Sequence, residues 1–558
     1  MIARKTSQQV LLLLLGSIAS LSAGAGQAPD AGQTTRELQQ EQNREIKKPK
    51  AIPPLDTEGG ASTAPSVVDN TQIPVKAIHV TGSTVYSAAV LEALVADMVG
   101  GTHSLTELEL AAARISTHYR KHGYFLSSAY LPAQDIKDGV LEIAVLEGKV
   151  DQITLNNTSR VSDKRIHGHL EKVSAKQSPM DRKLLLLRDS IGMSSLRAVL
   201  QPGASVGTSD LLIETTSTAP YNGSVQVDNY GNRYTGEYRV NAAIAINSPL
   251  KIGDQLTARV IGSDRDMVYG RAAYQLPIGG DGLRVGAALA RIDYQLGREF
   301  KSLDAHGTAT SASLFTTYPF IMSQNGSLVG AMTYEDKNLK DFIDSTNTDN
   351  KKSVQSGTLG LTGNYQDGFN GAGQTSFDVS WTLGHLSMDA VQRVIDEATA
   401  RSNGDFTKVG YTFNRLQRVT DNNTLSASIS GQWAGDNLNS SDKFSLGGSY
   451  GVRAYPQGEG SGDEGSLLNL ELRHRFMPQL QGVVFYDYGH VKINHNQYAV
   501  GDNTRTIAGA GFGVNAEVFK KIRVDGYLAW RTQGGTPLSE PASSERSPRL
   551  WVQAGFEF

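Results

Sequence analysis

The chain has 558 residues, a formal net charge of −3 and no cysteine. That length admits several domains with ample core material. The missing cysteine excludes disulfides, thiol nucleophiles and zinc–thiolate sites, and the near-neutral charge argues against nucleic acid as a bulk electrostatic partner. No apolar run reaches the ~18 residues of a membrane-spanning helix, which leaves a soluble exported protein and an outer-membrane β-barrel both open.

The first residues read as an export signal, 1–25. Arg4 and Lys5 form a basic start, an apolar run follows from Val10 to about Leu21, and Ala23-Gly24-Ala25 offers a small-x-small cleavage site. Next comes TTRELQQEQNREIKK, good helix formers in which Leu38 and Ile46 are nearly the only apolar residues. A helix polar all round cannot dock on an apolar core, so over 30–48 it is either disordered or placed in a hydrated cavity. Residues 49–73, rich in Pro, Gly, Ser and Thr, read as an extended linker.

Residues 74–148 have the pattern of a small α/β module. VKAIHV alternates like a strand, Tyr86 to Val99 is apolar at helical spacing, and Ser104-Leu105-Thr106-Glu107 is a capping box. That box opens a helix with Leu108, Ala112, Ile115 and Tyr119 on one face, ended by Gly123. YFLSSAYL and GVLEIAVLEG then read as strands, giving β-α-α-β-β. Residues 149–217 repeat that order, with VDQITL, helices near Ser162 to Val173 and Asp181 to Ile191, then SLRAVLQP and TSDLLIET.

From residue 218 to 558 helical spacing largely disappears and turn-bounded alternation takes over. Val240, Ala242, Ile244 and Ile246 oppose Asn241, Ala243, Ala245 and Asn247; Ile522, Val524, Leu528 and Trp530 oppose Arg523, Asp525, Tyr527 and Arg531. Leu550, Val552, Ala554, Phe556 and Phe558 share a face at the end of the chain. Many segments reach about ten residues, the length that crosses a bilayer when tilted. Backbone groups in hydrocarbon must all be paired, so such strands close on themselves. Roughly 340 residues at about 20 per strand and connection predict some 16 antiparallel strands in a transmembrane barrel.

Several motifs carry no chemistry. Gly203–Gly207 and Gly447–Gly451 both match G-x-S-x-G, but neither sits on the strand-to-helix turn that a nucleophile elbow needs. The alternating glycines Gly509, Gly511 and Gly513 lie mid-strand on the polar face, where they make room for something in the lumen. His167 and His169 read as helix-surface residues, not ligands, and the acidic run Glu459 to Glu464 as a solvated loop without calcium-site spacing. No catalytic constellation, metal site or cofactor site is expected.

Four stretches, YRKHGYFLSSAYLPAQDIKDGVLEIAVLEG, LQPGASVGTSDLLIE, DNYGNRYTGEYR and FSLGGSYGVRAYPQGEGSGDEG, together with this domain order, resemble the two-partner secretion transporters of the TpsB type. That family includes the haemolysin and filamentous-haemagglutinin secretion proteins and belongs to the superfamily of outer-membrane barrel-assembly insertases. The resemblance implies two periplasmic POTRA domains (74–148 and 149–217), a plug helix (30–48) and a 16-strand barrel (218–558). It also implies a loop (435–465) that enters the lumen with a V-R-G-Y/F tip, here Val452, Arg453, Ala454 and Tyr455. The partner motif F-x-D-x-G stands as Phe485, Asp487 and Gly489, and Arg453 is expected to pair with Asp487. The implied function is export of an unfolded, TpsA-type exoprotein across the outer membrane. The lipid of that membrane and the barrel-assembly machinery are the further partners. An insertase of the same superfamily is the alternative, and a passive porin a weaker one.

Overall fold

The computed structural model describes residues 28–46, 57–58, 72–122, 124, 126–136, 138–170, 177–205, 208–519 and 521–558. The expected signal segment and most of the expected linker lie outside the described residues.

Sixteen antiparallel strands among the described residues close into a barrel, from Tyr221–Asp228 round to Arg549–Glu557. The first and last strands seal it through Ser224↔Glu557 to Asp228↔Gln553, and Gly223 and Phe558 exchange backbone hydrogen bonds of 2.9 and 3.0 Å. Alternation sets the two faces. Val240, Leu289, Val484 and Phe512 are exposed on the outside, where hydrocarbon would cover them, while Asn241, Phe485 and Asp487 are buried toward the lumen. The wall is uneven in height. The first strand has 8 residues, whereas Ala305–Met322, Gly326–Ile343 and Thr348–Asp367 have 18, 18 and 20. About ten residues suffice to cross a bilayer, so these three strands project beyond it at the end away from the N-terminal modules.

The first α/β module is a three-stranded sheet, with Ala77–Thr81 parallel to Val140–Leu146 and Ser128–Tyr130 antiparallel to it. Helix Leu105–Lys121 starts at the capping box: the Ser104 hydroxyl accepts from Glu107 N while the Glu107 carboxylate accepts from Ser104 N at 2.7 Å. Its buried Leu108, Ala112, Ile115 and Tyr119 pack on Leu141 and Ile143 of the sheet. The preceding helix is shorter than its spacing predicts, Ala88–Ala93 with a 3₁₀ turn at Ala96–Met98. Valines at 90, 95 and 99 are poor helix formers and Gly100-Gly101 ends the run. The second module repeats the order with helices Asp163–Leu170 and Gln177–Arg188 and strands Lys149–Asn157, Met193–Pro202 and Thr208–Ser217. It leans on the barrel's periplasmic turns: Arg182 donates to the Pro319 carbonyl at 2.6 Å and Arg160 to that of Asn247 at 2.9 Å. His167 is exposed, but His169 is not a surface residue; it is buried, its Nε2 donating to the Lys183 carbonyl at 2.9 Å.

Candidate functional site

Two segments fill the lumen: the loop between strands Asn423–Ala434 and Glu464–Met477, and helix Ala31–Ile46. The loop enters as a narrow hairpin, Phe444–Ser445 pairing with Ser461–Gly462. Its tip folds on itself, with Val452 N donating to the Leu446 carbonyl at 2.7 Å. Val452, Ala454 and Tyr455 are all buried at the tip, against Val483, Phe485, Ile507 and Ala529 of the wall.

Strand Leu480–Lys492 turns Phe485, Asp487 and Gly489 inward, and each meets the loop. Gly489 leaves room for Leu446, whose Cδ2 would lie 2.7 Å from a Cβ there. The Arg453 guanidinium forks onto Asp487, with Nε to Oδ2 at 2.9 Å and Nη2 to Oδ1 at 2.8 Å, and Arg453 N also donates to Oδ2 at 3.1 Å. Phe485 lies under the guanidinium, its ring centroid 3.5 Å from Cζ. The inward glycines of the next strand serve the same docking: a Cβ on Gly509 would overlap the Cβ of Ala454. Ala454 needs no left-handed backbone, so alanine is accepted at this tip position without strain.

Other residues complete the site that no spacing pattern exposes. Glu471 takes Arg453 Nη1 at 2.7 Å, and Asn469 donates to Asp487 at 2.7 Å and to the Gly451 carbonyl at 3.0 Å. Trp551 Nε1 donates to the Arg453 carbonyl at 2.7 Å, and the Tyr455 hydroxyl reaches the carbonyls of Gln533 and Gly535. Asn469 and Glu471 sit on the lumenal face by alternation, but cross-strand register, which the sequence does not specify, brings them to Asp487 and Phe485. A charge buried with its donors satisfied is stable, whereas removal of one partner typically costs about 3–5 kcal/mol.

The run Glu459–Glu464 is not solvated. Glu459, 1 % exposed, accepts from Arg505 Nη2 at 2.9 Å and from the backbone N–H groups of Leu538 and Ser539. Asp463, 0 % exposed, pairs with Lys443 at 2.7 Å and accepts from Leu438 N and His495 N. Each carboxylate meets a cation and two N–H groups supplied by other parts of the chain, which is why the composition read as solvated while the residues are buried.

Helix Ala31–Ile46 rests on polar contacts. Its first N–H donates to Asp341 at 2.8 Å, Arg36 Nη1 to the Ser440 carbonyl and Ser461 Oγ at 2.9 Å each, and Gln39 to Glu335 at 3.0 Å. Glu41 lies in the fork of Arg239, at 2.9 and 3.2 Å. Ala31 and Leu38 are the helix's contribution to the apolar cluster with Tyr234, Ile261, Tyr269 and Ile292. Gly447–Gly451 lies in the lumenal loop beside this helix, where Ser449 Oγ is buried without a hydrogen-bond partner among the described residues.

A barrel whose lumen is filled by its own loop and helix, preceded by two β-α-α-β-β modules, defines an outer-membrane transporter with periplasmic POTRA domains. Residues 207–516 match the family model described as haemolysin secretion/activation protein ShlB/FhaC/HecB, and residues 73–148 match that of the ShlB-type POTRA domain. The chain belongs to this haemolysin secretion/activation family, the TpsB two-partner secretion transporters, which decides for export over insertion or passive diffusion. It is 29 % identical over 495 residues to the heme/hemopexin transporter protein HuxB of Haemophilus influenzae, covering 86 % of this chain and 87 % of that one. It is 24 % identical over 569 residues to the outer membrane transporter CdiB of Dickeya dadantii, covering 97 % and 96 %. Among solved structures, CdiB from Escherichia coli superposes with a TM-score of 0.74 at 19 % identity over 95 % of this chain and 99 % of that one, a likeness of fold.

Proposed function

We propose that this transporter is held shut at rest by helix Ala31–Ile46, acting as a removable plug, and that an unfolded TpsA-type exoprotein crosses the lumen once the helix has left. The observation that carries this reading is the chemistry of the helix contacts: carboxylates, amides and guanidiniums that water or an extended chain can replace. The exoprotein is first met in the periplasm by the POTRA domains, 74–148 and 149–217, where an extended segment adds to an open strand edge through backbone hydrogen bonds. Arg453 and Asp487 hold the loop 435–465 as fixed lining while the helix moves. The protein acts as a conduit and carries out no chemistry on its cargo. Its own insertion into outer-membrane lipid is the task of the barrel-assembly machinery.

Likeness to a heme/hemopexin transporter makes a haem-binding exoprotein the first cargo to test. Co-expression with that exoprotein, scoring its release at the cell surface, should give secretion with the full chain and none after deletion of both POTRA domains. Undiminished secretion without them overturns their receptor role.

A further inference from the structure

The stretch DNYGNRYTGEYR begins at Asp228 and ends at Arg239, and the structure brings its two ends together. Arg239, 5 % exposed, donates from Nε to Asp228 Oδ1 at 2.8 Å, which closes the first barrel hairpin and fixes the plane of the guanidinium. The opposite edge of that guanidinium points at the helix and holds Glu41 in a two-point fork. Arg259 approaches the same carboxylate, Nη2 to Oε1 at 3.6 Å, and is oriented by its Nε bond to Asn241 Oδ1 at 3.0 Å.

Arg271 is the direct cross-strand neighbour of Arg259, on the lumenal face shared with buried Tyr269 and Ala273. No carboxylate among the described residues pairs with Arg271. Like charges directly opposite one another weaken a sheet. Further round the wall, Glu335 is taken by Lys337 at 3.7 Å. This patch therefore holds Arg239 between Asp228 of the wall and Glu41 of the helix, with Arg259 and Arg271 beside it. If the helix leaves, Glu41 leaves with it.

We propose that Arg239, Arg259 and Arg271 form a carboxylate-binding site on the lumenal wall, occupied by Glu41 at rest and by aspartate and glutamate side chains of the exported polypeptide during transit. The guanidinium fork fits a carboxylate in two-point geometry, and Glu41 shows the fork filled by that group. The exchange is one carboxylate for another at the open edge of the Arg239 guanidinium. Acidic cargo segments compete with the helix for its own anchor, which couples cargo entry to helix exit. This rests on the plug reading given above.

The test uses the full-length protein in detergent and two fluorescent peptides, hexaglutamate and hexalysine, with binding read by anisotropy at low salt. Glu41→Gln frees the fork and is expected to bind hexaglutamate about tenfold more tightly than the unmodified protein, a difference of about 1.4 kcal/mol, with no gain for hexalysine. Adding Arg259→Gln and Arg271→Gln should reduce that gain, whereas Arg291→Gln with Arg415→Gln, which removes two positive charges that pair with Asp293 and Asp367 on the outside of the barrel, should leave it intact. Equal hexaglutamate binding by the Glu41→Gln and unmodified proteins overturns the proposal without reference to the arginine variants. So does loss of binding in the outer-face pair, which would reduce the effect to net charge. Secretion by Glu41→Gln is scored in parallel. If peptide binding behaves as expected and secretion is unchanged under conditions where helix exit limits it, the plug reading falls and the site stands.

Discussion

The loop and the helix fill the same lumen by opposite means. The loop brings Phe444, Leu446, Val452, Ala454 and Tyr455 to a wall of apolar side chains and glycines, and its charges are buried with their partners. The helix brings Ala31 and Leu38 to an apolar cluster, and its other contacts among the described side chains are mainly polar. Burial of apolar side chains is worth roughly 1.5–3 kcal/mol each, so the loop tip gains a stabilisation that the helix lacks. Hydrogen bonds exchanged for water return only about 0.5–1.5 kcal/mol each. On the function proposed above the loop serves as wall and the helix as a stopper, and each of the following substitutions should break one without the other.

The largest effect is expected at the loop's charged anchor. Arg453→Ala leaves Asp487 buried without its cation, while Glu471 keeps Arg473 at 2.6 Å, and should cost about 3–5 kcal/mol, read as a lower temperature for loss of the compact, heat-modifiable band on gels and as lost secretion. Arg453→Ala combined with Asp487→Ala should cost clearly less than the sum of the two single changes, because neither charge is then stranded. An additive double variant would mean that the pair is not a unit and that the apolar tip alone holds the loop.

Next in size is a covalent tether on the helix. The chain has no cysteine, so a pair can be introduced cleanly. A Cβ at Gly32 would lie 3.2 Å from the Ser441 Cβ, slightly inside the ~3.5–4.5 Å of disulfides, with the Ser440 hydroxyl having to turn aside and the Ser441 backbone N, 2.8 Å from that Cβ, having to move back. Gly32→Cys with Ser441→Cys should stop secretion under oxidising conditions and recover it with reductant. Full secretion through the oxidised, demonstrably cross-linked protein would show that the helix need not leave the loop.

How far the sequence reveals this arrangement depends on which interactions are local. Alternation is local, so the barrel, the inward side of Phe485, Asp487 and Gly489 and the lumenal glycines at 509, 511 and 513 can all be read from spacing. The pairing of Arg453 with Asp487 was expected from family motifs, not from spacing, and the contributions of Glu471, Asn469 and Trp551 depend on strand register and on closure of strand Arg549–Glu557 against the first strand. The acidic run misled for a related reason. Glu459 and Asp463 look like solvated charges until Arg505, Lys443 and the backbone N–H groups that satisfy them arrive from elsewhere in the chain. Tertiary partners, invisible to composition, decide whether a carboxylate is at the surface or in the core.

The smallest predicted effect tests the comparison at its finest grain, because it asks whether the loop tip is packed or merely tethered. Ala454 occupies the space that glycine leaves at position 509, and the two Cα atoms of a bulkier pair could not approach as closely. Gly509→Ala adds one methyl where another already sits and should cost about 1–3 kcal/mol through overpacking. Ala454→Gly removes the opposing methyl and should cost less than ~1.5 kcal/mol. The two changes together move the methyl from the loop tip to the barrel strand and should restore most of the stability lost by Gly509→Ala, measured as the temperature at which the folded band is lost. A tip held only by Arg453 would tolerate Gly509→Ala by shifting outward, and the double variant would then give no rescue. Since among the described residues the helix has no equivalent close approach to the glycines of this strand, its release should be unaffected by either change, so a rescue seen in stability without any change in helix exit would separate wall from stopper at the level of a single methyl group.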